Sequence, residues 1–367
     1  MEVTLQRNLI SSELSILQGV VEHRGTIPIL SSILMETLPD RVRLTATDLD
    51  MTILTECAAV VHTEGRMTLE SKIFQNLVGH LQGDEFSLRL DGDSVEMASG
   101  RFLSRMSVVD PGEFPTVPTI DADRKYSLPL DLLKLMLRRV EFAITKEDPK
   151  FQLNGALIKL LPGEIEVAAT DGHRLAVVRA GAPGETPPFE QQLFPRKLLT
   201  EFSRFSDDSV AIGIDENHLG FWMGDRTLIS RIVDLRFPQY EKVIVKDHPF
   251  RARVNRLELL SSLRRVSLMA NEKAKGVRFA FDSSGELTLR SFGYDRGEAH
   301  EMLNVLYQGE SLEVSLNAAY VIDFLQVLDV EMIEFQMKSS KNQTVLVPVD
   351  DDPRLEEYIY ILMPMRV

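Results

Sequence analysis

The sequence predicts an α+β protein of three similar domains, each made of two halves that hold one helix and about four strands. Three observations lead there. Short sequence words return about 120 residues apart, amphipathic helices recur about every 60 residues, and alternating strand-like stretches fill the space between them.

ATDLD at 46–50 returns as ATDGH at 169–173, and EFP at 113–115 returns as RFP at 236–238, both 123 residues later. LRRV at 137–140 returns at 263–266. A unit of that length can bury its own core, and 367 residues hold three of them. Chains built from like domains work through overall geometry, because catalytic clefts seldom repeat.

The helices follow in order. The first begins at Asn8, with Ile10, Leu14, Leu17 and Val21 on one stripe. The second begins at Ser71, with Phe74, Leu77, Val78 and Leu81. The third and fourth follow Pro129 (Leu133, Met136, Leu137, Val140) and Pro195 (Leu198, Leu199, Phe202, Phe205). The last two follow Asn255 (Leu259, Leu260, Leu263, Val266) and Asn317 (Val321, Phe324, Leu325, Leu328). Asn and Ser side chains can accept a bond from an unpaired backbone N–H, and Pro suits a first helical turn. Between the helices, Arg41–Met51, Glu85–Met97, Ser209–Met223 and Val277–Leu289 alternate around turn residues, as short strands do. Apolar periodicity lapses near Asp121–Lys125 and Asp247–Phe250, which sets the expected domains at 1–121, 126–247 and 250–367. The Pro- and Gly-rich stretch Gly181–Gln192 falls inside the second and is expected to be a surface loop.

Composition narrows the function. The first residues carry Glu2, Arg7 and Glu13 where a signal peptide needs an apolar core, and no apolar run is long enough to span a membrane. Cys57 is the sole cysteine, so an internal disulfide or cysteine-rich metal site is excluded. These features point to a cytoplasmic protein. A net charge of −14 argues against holding nucleic acid by bulk electrostatics, yet leaves room for local basic surfaces.

Motifs for chemistry are sparse. There is no Gly-rich phosphate loop, dinucleotide fingerprint or His-Glu-x-x-His helix, and no cofactor or metal is expected. Asp48, Asp50 and Asp171 could suggest a metal site, but Asp48 and Asp171 are repeat equivalents, and Asp at a strand end suits a turn. His173 lies beside a carboxylate and an arginine, but its repeat equivalent is Asp50, so no acid–base duty is shared. Cys57 sits in an apolar strand and reads as a small hydrophobe.

The polar helix faces carry Lys72, Lys134, Arg138, Arg196, Lys197, Arg204, Arg264 and Arg265. Ordinary solvated faces are one reading. Their recurrence in an acidic protein favours another, a shared surface for phosphate contacts without sequence readout. The end of the chain, YIYILMPMRV, is too apolar for a frayed terminus. It is expected either to be a core strand or to floor an exposed apolar site, with Ile359 and Ile361 facing one way and Tyr360 and Leu362 the other.

EHRGTIPIL (22–30), ATDLDM (46–51), FQLNG (151–155), ATDGHRLAV (169–177), PRK (195–197), RFPQY (236–240), NEKAKGVR (271–278), NAAYVIDFL (317–325) and MPMR (363–366) together carry a family likeness. In that order and spacing, the chain resembles the bacterial sliding-clamp family, the beta subunits of DNA polymerase III, over essentially its whole length. The resemblance implies the DNA clamp fold, with two chains closing head-to-tail into a ring around duplex DNA and helices lining the hole. It implies a non-enzymatic processivity factor whose partners are a second copy, double-stranded DNA, the replicative polymerase subunit, a clamp loader, and repair polymerases or other proteins with a clamp-binding motif.

It also implies a partner-peptide pocket between the second and third domains. Its walls would be Leu153, Thr170, Gly172, His173, Arg174 and Leu175, continued by Pro238, Lys242 and Val243, with Tyr320 and Thr344 at the edge. Leu362, Met363, Pro364, Met365 and Arg366 would come from the terminus. Arg24 matches a DNA-touching position and joins Lys72, Lys134, Arg138, Arg196, Lys197 and Arg264 as the expected DNA-facing set. The dimer contact is expected on the helix Lys72–Leu81 (Phe74, Leu77), the strand Phe102–Val108 (Met106), and Leu268 with Met269. Three positions depart from the family pattern. Lys242 keeps a charge but loses the planar fork of Arg, Ala274 replaces bulkier residues, and Glu147 stands where relatives are uncharged. Two rivals stay open: an enzyme using Asp171 or His173, and a repeat scaffold with no DNA role.

Overall fold

The computed structural model describes residues 1–22, 27–120, 125–145, 152–182, 189–233, 235–245, 247–271 and 275–365. Among them stand six α-helices: α1 (Arg7–Leu17), α2 (Ser71–His80), α3 (Leu130–Val140), α4 (Arg196–Phe202), α5 (Arg256–Val266) and α6 (Ala318–Gln326). Each stands where the apolar spacing predicts it, although Val21, Leu81, Phe205 and Leu328 fall just past the ends of α1, α2, α4 and α6.

Each helix is also entered directly from a short strand. Glu2–Gln6, Arg66–Glu70, Tyr126–Pro129, Gln191–Pro195, Phe250–Asn255 and Leu312–Asn317 end one residue before the helix they feed. This strand-into-helix join corrects two caps. Asn255 and Asn317 do cap, accepting the N–H of Glu258 and Ala319. Asn8, however, lies inside α1, because the strand runs to Gln6 and the Arg7 N–H is taken by the Asp84 carbonyl at 2.7 Å. For α2 the cap is Glu70 in place of Ser71, its longer carboxylate reaching the N–H groups of Lys72 and Ile73.

Contacts divide the chain into two units, Met1–Asp131 with Thr200–Ile232, and Leu132–Leu199 with Val233–Val367. The division passes through α3, α4 and the middle sequence repeat. In the first unit, a twelve-stranded sheet runs from Phe102–Ser107 at one edge to Tyr126–Pro129 at the other. Its centre is the long strand Met51–Thr63, which pairs with Glu2–Gln6 near its end and with Arg226–Arg231 near its start. Ile10, Leu14 and Leu17 of α1 and Phe74 and Val78 of α2 are buried where the two helices pack together. Buried Glu13 ties this helix pair to the strand Arg226–Arg231 through paired bonds from the Arg226 guanidinium, at 2.7 and 2.9 Å.

In the second unit, a nine-stranded sheet contains Gly155–Leu161, Glu164–Thr170, Arg174–Gly181, Leu355–Leu362 and Thr344–Pro348 as consecutive neighbours. A separate four-stranded sheet ends at the edge strand Gly297–Asn304. The final strand of the chain is thus interior to a sheet, paired on both sides. No helix among the described residues is long and apolar enough to cross a membrane.

Candidate functional site

The two returning ATD words fold into one and the same turn. Thr47 Oγ1 accepts the Leu49 N–H and donates to the Met51 carbonyl, while Asp48 Oδ1 accepts the N–H groups of Asp50 and Met51. Thr170 and Asp171 repeat every bond with Gly172, His173 and Arg174. The third residue must take positive φ, +77° for Leu49 and +92° for Gly172, and glycine meets that demand without strain. Both aspartates are therefore turn residues. Cys57 is equally unsuited to chemistry, its thiol pushed up to about 11 by burial and by nearby Glu13.

The second turn is locked from below. Buried Arg174 donates to Asp171 at 3.0 Å, to Asp323 of α6 at 2.7 Å and to the Phe142 carbonyl, with its guanidinium 4.2 Å from the Tyr320 ring centroid. Expected as a wall of the pocket, Arg174 is chiefly a buried tie, because every guanidinium nitrogen already has a partner. His173 stays exposed above it, and its carbonyl accepts the Met363 N–H at 3.1 Å.

The terminal segment does both things expected of it. Ile359 and Ile361 pack with Leu157, Ala168, Leu175, Val177, Tyr240 and Val345 on one face. On the other, Tyr360 stacks on Phe324 with centroids 4.9 Å apart. Beyond the strand, Met363 is 46% exposed. Met365 is held by its N–H to the Ser315 carbonyl.

Over this apolar cluster opens a cavity of about 160 Å³. Leu153, Thr170, Gly172, His173, Arg174, Leu175, Pro238, Val243 and Met363 line it, all expected from the sequence. Gln239, Tyr240 and Ile361 line it as well and were missed. Ile361 could have been found from the strand's alternation, but nothing in RFPQY marks Tyr240 as facing inward.

Several expected residues do not line the cavity. Thr344 and Leu362 are 0% and 1% exposed, opposite each other in the sheet, so their side chains serve the interior. Tyr320 lies against Arg174, and Lys242 points to solvent. Pro364 and Met365 are half-buried beyond the opening. Arg24, Glu147, Ala274 and Arg366 lie outside the described residues.

Three consecutive stretches match the domains of one family: residues 1–118 the DNA polymerase III beta subunit N-terminal domain, 127–239 its central domain, and 241–366 its C-terminal domain. The chain belongs to the DNA polymerase III beta subunit family. A Pseudomonas putida beta sliding clamp is 29% identical over 372 residues, covering all of both chains. The P. aeruginosa sliding clamp solved bound to griselimycin is 28% identical with a TM-score of 0.94, again over the full length of both. The C. crescentus beta sliding clamp solved with PEG bound is 29% identical with a TM-score of 0.92.

In this beta-subunit chain the basic helix residues have unequal freedom. Lys72, Arg138, Lys197 and Arg264 are exposed, whereas Lys134 and Arg196 are half-buried. Arg138 already donates to Asp329 at 2.6 Å and to the Val327 carbonyl. Such an exposed pair is weak enough for a phosphate to displace. Of the residues expected at a dimer contact, Leu268 and Met269 are exposed, and Leu77 and Met106 are half-buried. Phe74 is a correction. It is 0% exposed and packs edge-on against Phe86, so it serves its own unit's core and cedes the surface of α2 to Ile73. Phe102 and Leu103, on the edge strand expected to meet a second copy, are exposed, and so is Met302 on the edge strand Gly297–Asn304, which was not anticipated from the sequence.

Proposed function

We propose that this chain works as a sliding clamp, a cytoplasmic processivity subunit with no catalytic site, two copies of which close head-to-tail around duplex DNA. The observation that carries the reading is the apolar cavity at Leu175, Val243 and Met363, floored by the chain's own terminal strand, in a chain that matches the family from end to end. Partner peptides from the replicative polymerase, the clamp loader and repair polymerases would place a Leu or Phe there beside the polar rim of His173. Two exposed sheet edges support ring closure. Phe102–Ser107 and Gly297–Asn304 each end a sheet and carry exposed apolar side chains, so one edge can pair with the other of a second copy. Lys72, Lys134, Arg138, Arg196, Lys197 and Arg264 supply phosphate contacts inside the ring, and the −14 net charge keeps DNA off the outside.

An enzyme at Asp171 or His173 is disfavoured, since the Asp171 carboxylate is occupied by two backbone N–H groups and Arg174. Imaging of single particles tests the proposal. It is expected to give a two-chain ring with a central hole wide enough for duplex DNA; a monomer or an open filament would overturn it.

A further inference from the structure

One face of the nine-stranded sheet carries a row of charges across four adjacent strands. Lys159, Glu166, Arg179 and Glu357 are direct cross-strand neighbours, alternating in sign. Lys159 Nζ lies 3.0 Å from Glu166, Arg179 Nε donates to Glu166 at 2.6 Å, and Arg179 also donates to Glu357 at 2.5 Å. Residues two positions along the same strands, Leu157, Ala168 and Val177, belong to the apolar cluster beneath the cavity. The charged row thus borders the cavity floor on the same face.

Tyr240 crosses from one to the other. Its ring packs in the apolar cluster and lines the cavity, while its hydroxyl donates to Glu166. Tyr240 and Glu166 are 3% and 4% exposed. Lys159 stands 4.6 Å from the Tyr240 ring centroid and reaches the next residue, Glu241, at 2.5 Å. The segment that carries Pro238, Tyr240 and Val243 is only a single 3-10 turn with irregular flanks. A turn so short has little hydrogen-bonded structure of its own to hold it.

We infer that Glu166 is a positioning residue for the partner pocket: together with Lys159 and Arg179 it latches Tyr240, and through it the whole cavity wall from Pro238 to Val243. The inference rests on the pocket reading above. The latch is sited in the sheet, so the wall keeps one shape whether or not a peptide is present. Pre-ordering a wall spares the partner that cost on binding.

The test uses the full-length protein and a short synthetic peptide with one glutamine followed by leucine and phenylalanine. Tyr240→Phe keeps the ring and removes only the hydroxyl, Glu166→Gln removes the charge, and Lys159→Met is paired with Lys159→Arg as its conservative rescue. Tyr240→Phe and Glu166→Gln are each expected to weaken peptide binding by about tenfold, the low end of the scale for one hydrogen bond to a charged group. The double variant should be little weaker than either single one, because both break one latch. Lys159→Arg should restore what Lys159→Met loses, and dimer mass and retention on DNA should not change. Deleting residues 363–367 serves as the control. If the deletion weakens binding and Tyr240→Phe does not, the latch is wrong and the pocket stands. If the deletion leaves binding intact, the pocket falls and the latch with it. Should Glu166→Gln fail to fold, Tyr240→Phe and the lysine pair still decide the matter.

Discussion

Arg174 holds together the turn at 170–174, α6 and the Phe142 carbonyl, all from one buried guanidinium. Removing it leaves half-buried Asp171 with only its two backbone N–H partners and takes the side-chain anchor from the Phe142 carbonyl, while Asp323 is exposed enough to be rehydrated. Arg174→Ala is therefore expected to cost about 3 kcal/mol, the low end for breaking a buried pair, as read from urea unfolding. His173 only borders the cavity, so His173→Ala should weaken peptide binding less than loss of the terminal segment. Glu166 adds a pH dependence. Burial pushes its carboxyl up, but bonds from Tyr240, Arg179 and Lys159 outweigh burial and hold it below the ordinary value. A carboxylate depressed in the folded state contributes its full stability above the unfolded pKa, about 4.3, and loses it as pH falls through the lower folded value. The stability gap between the parent and Glu166→Gln should thus be flat from pH 7 to about 5 and shrink below about 4. A gap that closes between pH 7 and 5 would assign the effect to another group.

The elements differ in how far the sequence exposes them. All six helices were legible because each shows its apolar stripe at helical spacing, whatever its cap. The strand that feeds each helix was not, since four to six residues carry too little alternation to separate from the helix they enter. The terminal strand was legible from its unbroken apolar run, and its two faces came out as the alternation required. Burial of Thr344 and Leu362 was hidden, because it depends on which strands become sheet neighbours. Deleting Met363–Val367 should reduce peptide binding tenfold or more by calorimetry, since one buried Leu or Phe is worth about 1.5–3 kcal/mol. The ring should survive, as the exposed edge strands are elsewhere. Leu268→Ala with Met269→Ala, at exposed positions, should instead weaken the dimer in sedimentation while peptide binding holds.

At the scale of the whole molecule, repetition was the most legible property, and it pointed to function through geometry. The division of contacts through the middle repeat could not be foreseen, because the strand Met51–Thr63 pairs with Arg226–Arg231 across a long stretch of chain. A closed ring needs no strong grip on DNA. It holds by topology and keeps its polymerase at high effective concentration near the primer end. Ordinary phosphate binding collapses as salt rises, while a topological link does not. The decisive measurement loads the protein, with a clamp-loading ATPase, onto nicked circular DNA in high salt and then cuts the circle. Retention before the cut and release after it are expected; equal retention on circular and linear DNA would contradict the sliding ring.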